Sequence, residues 1–207
     1  MRKIILLTAL LLSLSGIAQE TTDMHLLELQ GPVRYVRYDE TWDVTPDGQP
    51  TSKSVQVEGN MYRLDRHGRI KSATRHGKTI QIIRNAHGDI QRIKMPKTPD
   101  SKEDDSYAYT IQWNKDGYPR QLIYDEKDFT TCRTSYIYGE YVNRWVAIDH
   151  CDVEESEGWE VMTGYRVLER DEYGNWTKRL EMTVVAELDD EQRLVFNLET
   201  RGILYYE

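Results

Sequence analysis

Four short segments decide the fold of this chain: Asp65-Arg66-His67-Gly68, Asn85-Ala86-His87-Gly88, Asn114-Lys115-Asp116-Gly117 and Asp171-Glu172-Tyr173-Gly174. Each begins with Asp or Asn and ends with Gly, the pattern of a type I turn closed by a left-handed glycine. The Asx side chain can accept a hydrogen bond from the turn backbone, and glycine adopts positive φ without a Cβ clash. Each copy therefore predicts the tip of a β-hairpin.

The segments between these turns alternate in the manner of β-strands, as in Tyr107-x-Tyr109-x-Ile111-x-Trp113. Pro46-Asp47-Gly48 resembles a degenerate fifth copy, and His76-Gly77 lies where a return turn belongs. Helical character is confined to residues 22–30, ahead of Gly31-Pro32. Strands are predicted at 33–44, 51–64, 69–75, 78–84, 89–95, 106–113, 118–125, 129–138, 144–153, 159–170, 175–186 and 192–206.

About twelve strands are more than an open twisted sheet usually carries without curling. We therefore expect an all-β fold: one strongly curved antiparallel meander, closing as far as a partial barrel. The polar stretch at 96–105, with Pro96 and Pro99, predicts a long loop. Because the turn motif occurs on both sides of that loop, residues 19–207 are expected to form a single domain.

The chain begins like a secretory signal peptide. Met1-Arg2-Lys3 is followed by an apolar stretch from Ile4 to Leu14 and a small-residue end at Gly16-Ile17-Ala18. The apolar stretch is far shorter than the roughly 20 residues of a spanning helix. Cleavage after Ala18 is expected, leaving no integral membrane segment. The protein is then expected in the periplasm, outside the cell or at the cell surface.

The charge of the chain argues against two classes of partner. The formal net charge is −8 at pH 7 and becomes more negative once a signal peptide removes Arg2 and Lys3. A nucleic acid would be repelled, and no polybasic segment is present to hold an anionic membrane surface. A protein or a glycan remains as the expected kind of ligand, and no motif for a cofactor is present.

Cys132 and Cys151 are the two cysteines of the chain. A hairpin register that sets Cys132 opposite Cys151 also sets Tyr136 opposite Ala147 and Tyr138 opposite Trp145. Facing residues of an antiparallel pair lie within disulfide reach, and an exported protein meets oxidising conditions. A structural Cys132–Cys151 disulfide is predicted, with free thiols as the alternative.

Three aromatic residues of that hairpin form the candidate ligand-binding set. Tyr136, Tyr138 and Trp145 would share a face with the disulfide, and such rings stack on sugars or peptides. The alternative is that they belong to the core. His67 and His87 occupy equivalent turn positions, but a third ligand is missing, so no metal site is predicted.

The turn motif with its flanks, Leu64-Asp-Arg-His-Gly-Arg-Ile70 and Arg170-Asp-Glu-Tyr-Gly-Asn-Trp176, resembles the Tyr-Asp repeat of RHS-type bacterial surface proteins. It is also similar to smaller uncharacterised exported β-meander proteins of Gram-negative bacteria. This resemblance implies that the repeated residues shape hairpins and carry no catalysis.

Two functions compete at this point. The first is a non-enzymatic binding or scaffold protein of the bacterial cell envelope, indicated by the signal peptide, the hairpins and the lack of catalytic motifs. The second is a secreted glycan-acting hydrolase that uses a carboxylate pair in the concavity of the sheet. Acidic runs at Glu154-Glu155-Ser156-Glu157 and at 187–191 fall between predicted strands, where they are expected to be solvated loops.

Overall fold

The structure is a computed structural model that describes residues 22–97, 107–125, 131–138, 144–152, 159–186 and 192–207. One short helix precedes a succession of strands. The elements are α1 (Thr22–Leu26), β1 (Val33–Val44), β2 (Pro50–Leu64), β3 (Ile70–Arg75), β4 (Lys78–Thr79), β5 (Gln81–Arg84), β6 (Ile90–Met95), β7 (Tyr107–Trp113), β8 (Pro119–Asp125), β9 (Thr131–Tyr138), β10 (Arg144–Asp152), β11 (Trp159–Arg170), β12 (Trp176–Ala186) and β13 (Gln192–Tyr205).

All thirteen strands form one antiparallel sheet, in the order β4-β3-β2-β1-β13-β12-β11-β10-β9-β8-β7-β6-β5. The predicted all-β antiparallel meander is therefore confirmed. The count rises from twelve to thirteen because the strand expected at 78–84 is interrupted at Ile80, whose N–H donates to the carbonyl of Ala73.

The sheet is a nearly closed, barrel-like structure with one unsealed seam. The first long strand pairs with the last, so that Val33 lies opposite Tyr205 and Thr41 opposite Leu198. The two edges of the sheet are β4, which pairs with β3, and β5, which pairs with β6. Because Ile80 alone separates β4 from β5, the seam lies within one extended stretch of chain.

The four turn copies lie at one end of this sheet, here called the turn end. Their glycines adopt positive φ, from 74° at Gly68 to 89° at Gly88. The first residue of each turn accepts two backbone N–H groups on Oδ1; Asp65, for example, binds those of His67 and Arg69 at 2.9 and 3.0 Å. The same two hydrogen bonds form in the turns that end at Gly88, Gly117 and Gly174, where the acceptors are Asn85, Asn114 and Asp171.

The Thr45–Gly48 turn lies at the opposite end and has a different role. Since β1 leaves the turn end at Val33, the tip between β1 and β2 cannot join the four copies. It folds over the outer face of the sheet, where a Cβ on Gly48 would lie 3.2 Å from Leu168 and 3.3 Å from Leu198. It covers a small outer cluster of Val44, Leu180 and Leu198, with Leu168, Met182 and Phe196 packed around them.

The hairpin of β9 and β10 has the expected register at one end and a different one at the other. Cys132 lies opposite Cys151 and Tyr136 opposite Ala147. The register then shifts between Arg144 and Val146, so Tyr138 pairs with Arg144. The expectation that Tyr138 faces Trp145 is wrong, because an irregularity at Trp145 takes it out of the ladder.

Several predictions concern residues outside those that the structure describes. These are the signal peptide at 1–18, most of the loop at 96–105 and the two acidic runs at 154–157 and 187–191. The side chains of Trp145 and Cys151 also lie outside the described set. The disulfide therefore stays a prediction, supported by the backbone register.

Candidate functional site

The most distinctive feature of the site is the segment of residues 22–31, here called the plug segment. It contains α1 and is enclosed by the sheet: Met24, Leu26, Leu27 and Leu29 are all at most 6% exposed. It contacts residues as far apart in the sheet as Arg84 on β5 and Arg179 on β12. A ten-residue segment that reaches both sides of a curled sheet must lie inside it, and this one closes the turn end.

Two acids of the plug segment are anchored to arginines on the strands. Asp23 is 1% exposed and pairs with Arg84 at 2.7 Å. Glu28 lies 3.0 Å from Nη1 of Arg179 and 3.1 Å from Nε of Arg144. Burial alone would raise the pKa of Glu28, but the charges of Arg179 and Arg144 lower it to about 2.

The backbone of the plug segment is satisfied by side chains of the sheet. Arg201 donates to the carbonyls of Leu27 and Glu28, both at 2.9 Å. The Asn175 amide binds Gln30 twice, accepting from its N–H at 2.7 Å and donating to its carbonyl at 3.0 Å. Buried backbone groups need such partners, so these hydrogen bonds help to fix the plug segment inside the sheet.

A cavity of about 180 Å³ lies beneath the plug segment, inside the sheet. Its lining combines tyrosine rings, leucines and charged side chains. It is lined by Leu26, Leu27, Glu28, Tyr38, Glu40, Asn60, Tyr62, Tyr109, Leu122, Tyr136, Arg144, Arg179 and Glu199. The volume is below the roughly 300 Å³ at which pockets for drug-sized molecules begin, so it suits a small ligand.

Tyrosine rings dominate the wall of the cavity. Tyr38 and Tyr62 meet edge to face, with ring centroids 5.9 Å apart. Tyr109 is 8% exposed, and its hydroxyl makes no hydrogen bond with any residue of the described part of the chain. Burial raises the pKa of Tyr136 to about 12, so that its hydroxyl stays protonated. The wall thus offers neutral ring faces and, at Tyr109, a hydroxyl without a hydrogen-bond partner among the described residues.

Three glutamates lie on the inner face of adjoining strands. Glu40 on β1 lies directly opposite Glu199 on β13, and Glu181 on β12 is one rung away, opposite Asn197. Glu199 forms a close ion pair with Arg179. Burial raises the pKa of Glu40, and the charge of Glu199 raises it further. Burial and the charges of Glu199 and Glu40 raise the pKa of Glu181 to about 7.

Trp42 stands beside this acidic group, on the side away from the plug segment. It follows Glu40 by two positions on β1 and therefore shares its face of the strand. Its indole N–H donates to Glu40 at 3.0 Å, and its side chain is 45% exposed. An exposed aromatic ring thus adjoins the carboxylate that lines the cavity.

The residues predicted as ligand-binding are only partly brought together. Tyr136 lines the cavity. Tyr138 lies towards the turn end, where its hydroxyl donates to the carbonyl of Pro119 at 2.8 Å and its ring is 5.5 Å from that of Tyr118. His67 and His87 are exposed on their turns.

The prediction contains none of the charged residues of the cavity, which are Glu28, Glu40, Arg144, Arg179 and Glu199. The sequence does contain a signal for some of them, the alternation of charged and apolar residues along a strand. Leu180 lies between Arg179 and Glu181, and Leu198 precedes Glu199 and Arg201. Alternation does not say which face is enclosed, and the apolar face here lies outside. The sequence therefore could not separate these residues from solvated ones.

Two further features bear on chemistry. Within the described residues, no three His, Cys, Asp or Glu side chains are grouped so that they could hold a metal ion. No helix in that part of the chain has the length and apolar character needed to cross a membrane.

No protein-family model matches the sequence, and no curated protein matches it. Among solved structures, a porin-like protein from Bacteroides uniformis is similar, with 8% identity and a TM-score of 0.42. The match covers 85% of this chain and 99% of that one. At such identity, no site residue can be transferred from one chain to the other.

Proposed function

We propose that this chain is a non-enzymatic binding protein of the bacterial cell envelope, and that its ligand occupies the cavity inside the sheet. The observation that carries the proposal is the cavity of about 180 Å³ beneath the plug segment, lined by four tyrosines and by charged side chains. Binding sites are typically concave, with ring surfaces and a few placed polar groups. The envelope location follows from the predicted signal peptide.

The plug segment supports this proposal because it makes the cavity a fixed compartment. Glu28 belongs both to the plug segment and to the cavity wall, and it is tied to Arg144 and Arg179. The wall is therefore in place before any ligand arrives. A site formed in advance loses little conformational entropy on binding.

A cavity-filling substitution tests the proposal. Asn60 lines the cavity and is only partly buried, so Asn60→Trp can place an indole in the ligand space. Leu204→Trp on the outer face, where Leu204 is 62% exposed, is the matched control. Saturation-transfer NMR with choline, methyl β-glucoside and 3,3-dimethyl-1-butanol should show at least one binder that Asn60→Trp abolishes and Leu204→Trp retains. No binder, or one indifferent to Asn60→Trp, would contradict the proposal.

A glycan-acting hydrolase is the second candidate, favoured by the acidic group of Glu40, Glu181 and Glu199. A carboxyl with a pKa of about 7, such as Glu181, could serve as a general acid beside an ionised partner. The small cavity and the ion pair that occupies Glu199 weigh against it. Release of 4-nitrophenol from nitrophenyl glycosides, abolished by Glu181→Gln, would establish hydrolysis; no release by the wild-type protein would count against it.

The likeness of the turn copies to RHS-type repeats stays a proposal. The turns shape the end of the sheet and contact the plug segment, as His25 does at the carbonyl of Gly117 over 2.9 Å. Their part in the proposed function is to position the plug segment.

A further inference from the structure

The charges that line the cavity do not balance. The acids of the lining are Glu28, Glu40 and Glu199, and the bases are Arg144 and Arg179. Glu28 is paired with both arginines, and Glu199 is paired with Arg179. The remaining acid is Glu40.

Glu40 has no ion pair with any residue that the structure describes. Its contact is the hydrogen bond from Trp42 at 3.0 Å. It faces Glu199 across the β1–β13 ladder, and a like charge directly opposite is unfavourable. Burial makes an unpaired carboxylate more costly still. A positive charge beside Glu40 would relieve both penalties.

The neighbouring wall is suited to an organic cation. Tyr38, Tyr62, Tyr109 and Tyr136 surround the same space, and ring faces attract ammonium groups. The Tyr109 hydroxyl, which has no hydrogen-bond partner among the described residues, provides an acceptor or donor on a side chain that is more than nine-tenths buried. A bare metal ion would need several oxygen ligands, and no group of three candidate ligand side chains occurs in the described ranges.

We propose that the cavity binds a small organic cation, of the alkylammonium class, with its charge against the Glu40 carboxylate and its alkyl groups on the tyrosine rings. This inference rests on the proposed function, because it names the ligand class of the same cavity. The exposed ring of Trp42 adds an aromatic surface beside Glu40 on the side away from the plug segment. The negative net charge of the chain favours the approach of such a ligand.

Calorimetric titration with choline and with its neutral isostere 3,3-dimethyl-1-butanol tests the charge requirement. The two probes have nearly the same shape, so a difference in affinity reports the charge. We expect choline to bind about tenfold or more tightly than the isostere, as for a hydrogen-bonded or paired charge. Glu40→Gln should remove this difference, whereas Glu172→Gln, at an exposed turn residue, should leave it unchanged.

A second measurement on the wild-type protein does not depend on any variant. The charged groups around Glu40 are Glu199 on β13, Glu181 and Arg179 on β12, and Arg75 on β3. The pKa of Glu181 is raised to about 7, so going from about pH 8 to about pH 5 protonates it and removes a negative charge near Glu40. This change should weaken choline binding and leave binding of the isostere unaffected.

The outcomes separate this inference from the proposed function. Equal affinity for choline and the isostere, binding of methyl β-glucoside alone, or choline binding that survives Glu40→Gln would overturn the cation inference. In the first two cases, loss of binding in Asn60→Trp would leave the proposed function standing. If none of the three probes binds, both are overturned.

Discussion

Glu28 and Arg179 are 151 positions apart in the sequence, and Nη1 of Arg179 lies 3.0 Å from each oxygen of the Glu28 carboxylate. Both side chains are at most 5% exposed. Arg179 in turn is paired with Glu199, and Glu28 with Arg144, so the plug segment and three strands share one buried ionic network. Removal of Glu28 leaves Arg144 without its carboxylate partner and leaves Arg179 with Glu199 alone.

We expect Glu28→Gln to lower the free energy of unfolding by about 3–5 kcal/mol, because it leaves the largely buried Arg144 without its carboxylate partner and Arg179 with one carboxylate in place of two. Chemical denaturation of the two proteins at neutral pH measures the change. Glu172→Gln, at an exposed turn position, should shift stability by no more than about 0.5 kcal/mol. Equal stability of Glu28→Gln and wild type would mean that the plug segment does not occupy the sheet interior.

Acid should weaken the protein through the same carboxyl. The pKa of Glu28 is about 2 in the folded protein, against an ordinary value of 4.5. A lowered pKa gives stability that is present above the ordinary value and is lost as the pH falls towards about 2. The decline in stability over that interval should be smaller in Glu28→Gln, measured by urea denaturation at a series of acidic pH values. Parallel curves for the two proteins would contradict the assignment.

Glu181 should lower the stability of the protein at high pH, whereas Glu28 lowers it at low pH. Burial, with the charges of Glu199 and Glu40, raises its pKa from 4.5 to about 7, so the folded protein favours its protonated form. Its contribution to stability is full below the ordinary value and is lost as the pH rises through about 7. Glu181→Gln should therefore be more stable than the wild-type protein above pH 7. A carboxyl resonance of Glu181 that titrates at its ordinary value in NMR would argue against this.

Gly88 is the site at which the cost of positive φ can be measured without a steric clash. Its φ is 89°, and a Cβ there would meet only the guanidinium of Arg69, at 3.8 Å or more. Gly88→Val should cost about 1–3 kcal/mol, and Gly88→Asn less, because Asn tolerates the left-handed region. Gly202 on β13 is a matched control: its φ is not positive, nothing lies within 4 Å of its Cβ position, and valine suits a strand. A similar cost at both sites would remove the turn explanation.

The Cys132–Cys151 bridge is a prediction that the register supports. A disulfide closing a loop of about 20 residues should contribute roughly 3 kcal/mol. Thiol titration of the denatured, unreduced protein should find no reactive thiol, and reduction should lower the denaturation midpoint. Two thiols that react before reduction would exclude the bridge.

Much of the fold is encoded in local patterns and could be predicted for that reason. The Asx side chains and glycines of the turns, from Asp65 and Gly68 to Asp171 and Gly174, act over a few residues. Strand alternation is local as well. The break at Ile80 was not predicted, because it lies at the seam between the two edges of the sheet. The position of the seam depends on the total curvature of the sheet, which no local pattern records.

The candidate site was predicted poorly because it is made of distant contacts. Residues 22–30 have weak helical character, and nothing in them says that Asp23 and Glu28 are buried against Arg84 and Arg179. Tyr136 was correctly named as a candidate, since its side chain lines the cavity inside the sheet. Trp145 was grouped with it by assuming an unbroken register, and the irregularity beside Arg144 shows why that assumption fails.

The pairing of β1 with β13 has a consequence for the order in which the protein folds. Each hairpin can form from neighbouring residues, but Arg201 on β13 reaches the Glu28 carbonyl across 173 positions. β1 therefore keeps one edge unpaired until β13 joins it, after the hairpins between them have formed. Closure of so long a loop is slow, and exposed strand edges attract other chains. We therefore expect closure of the ring to be the slow step of folding, with the unpaired edge of β1 as the place where other chains would add.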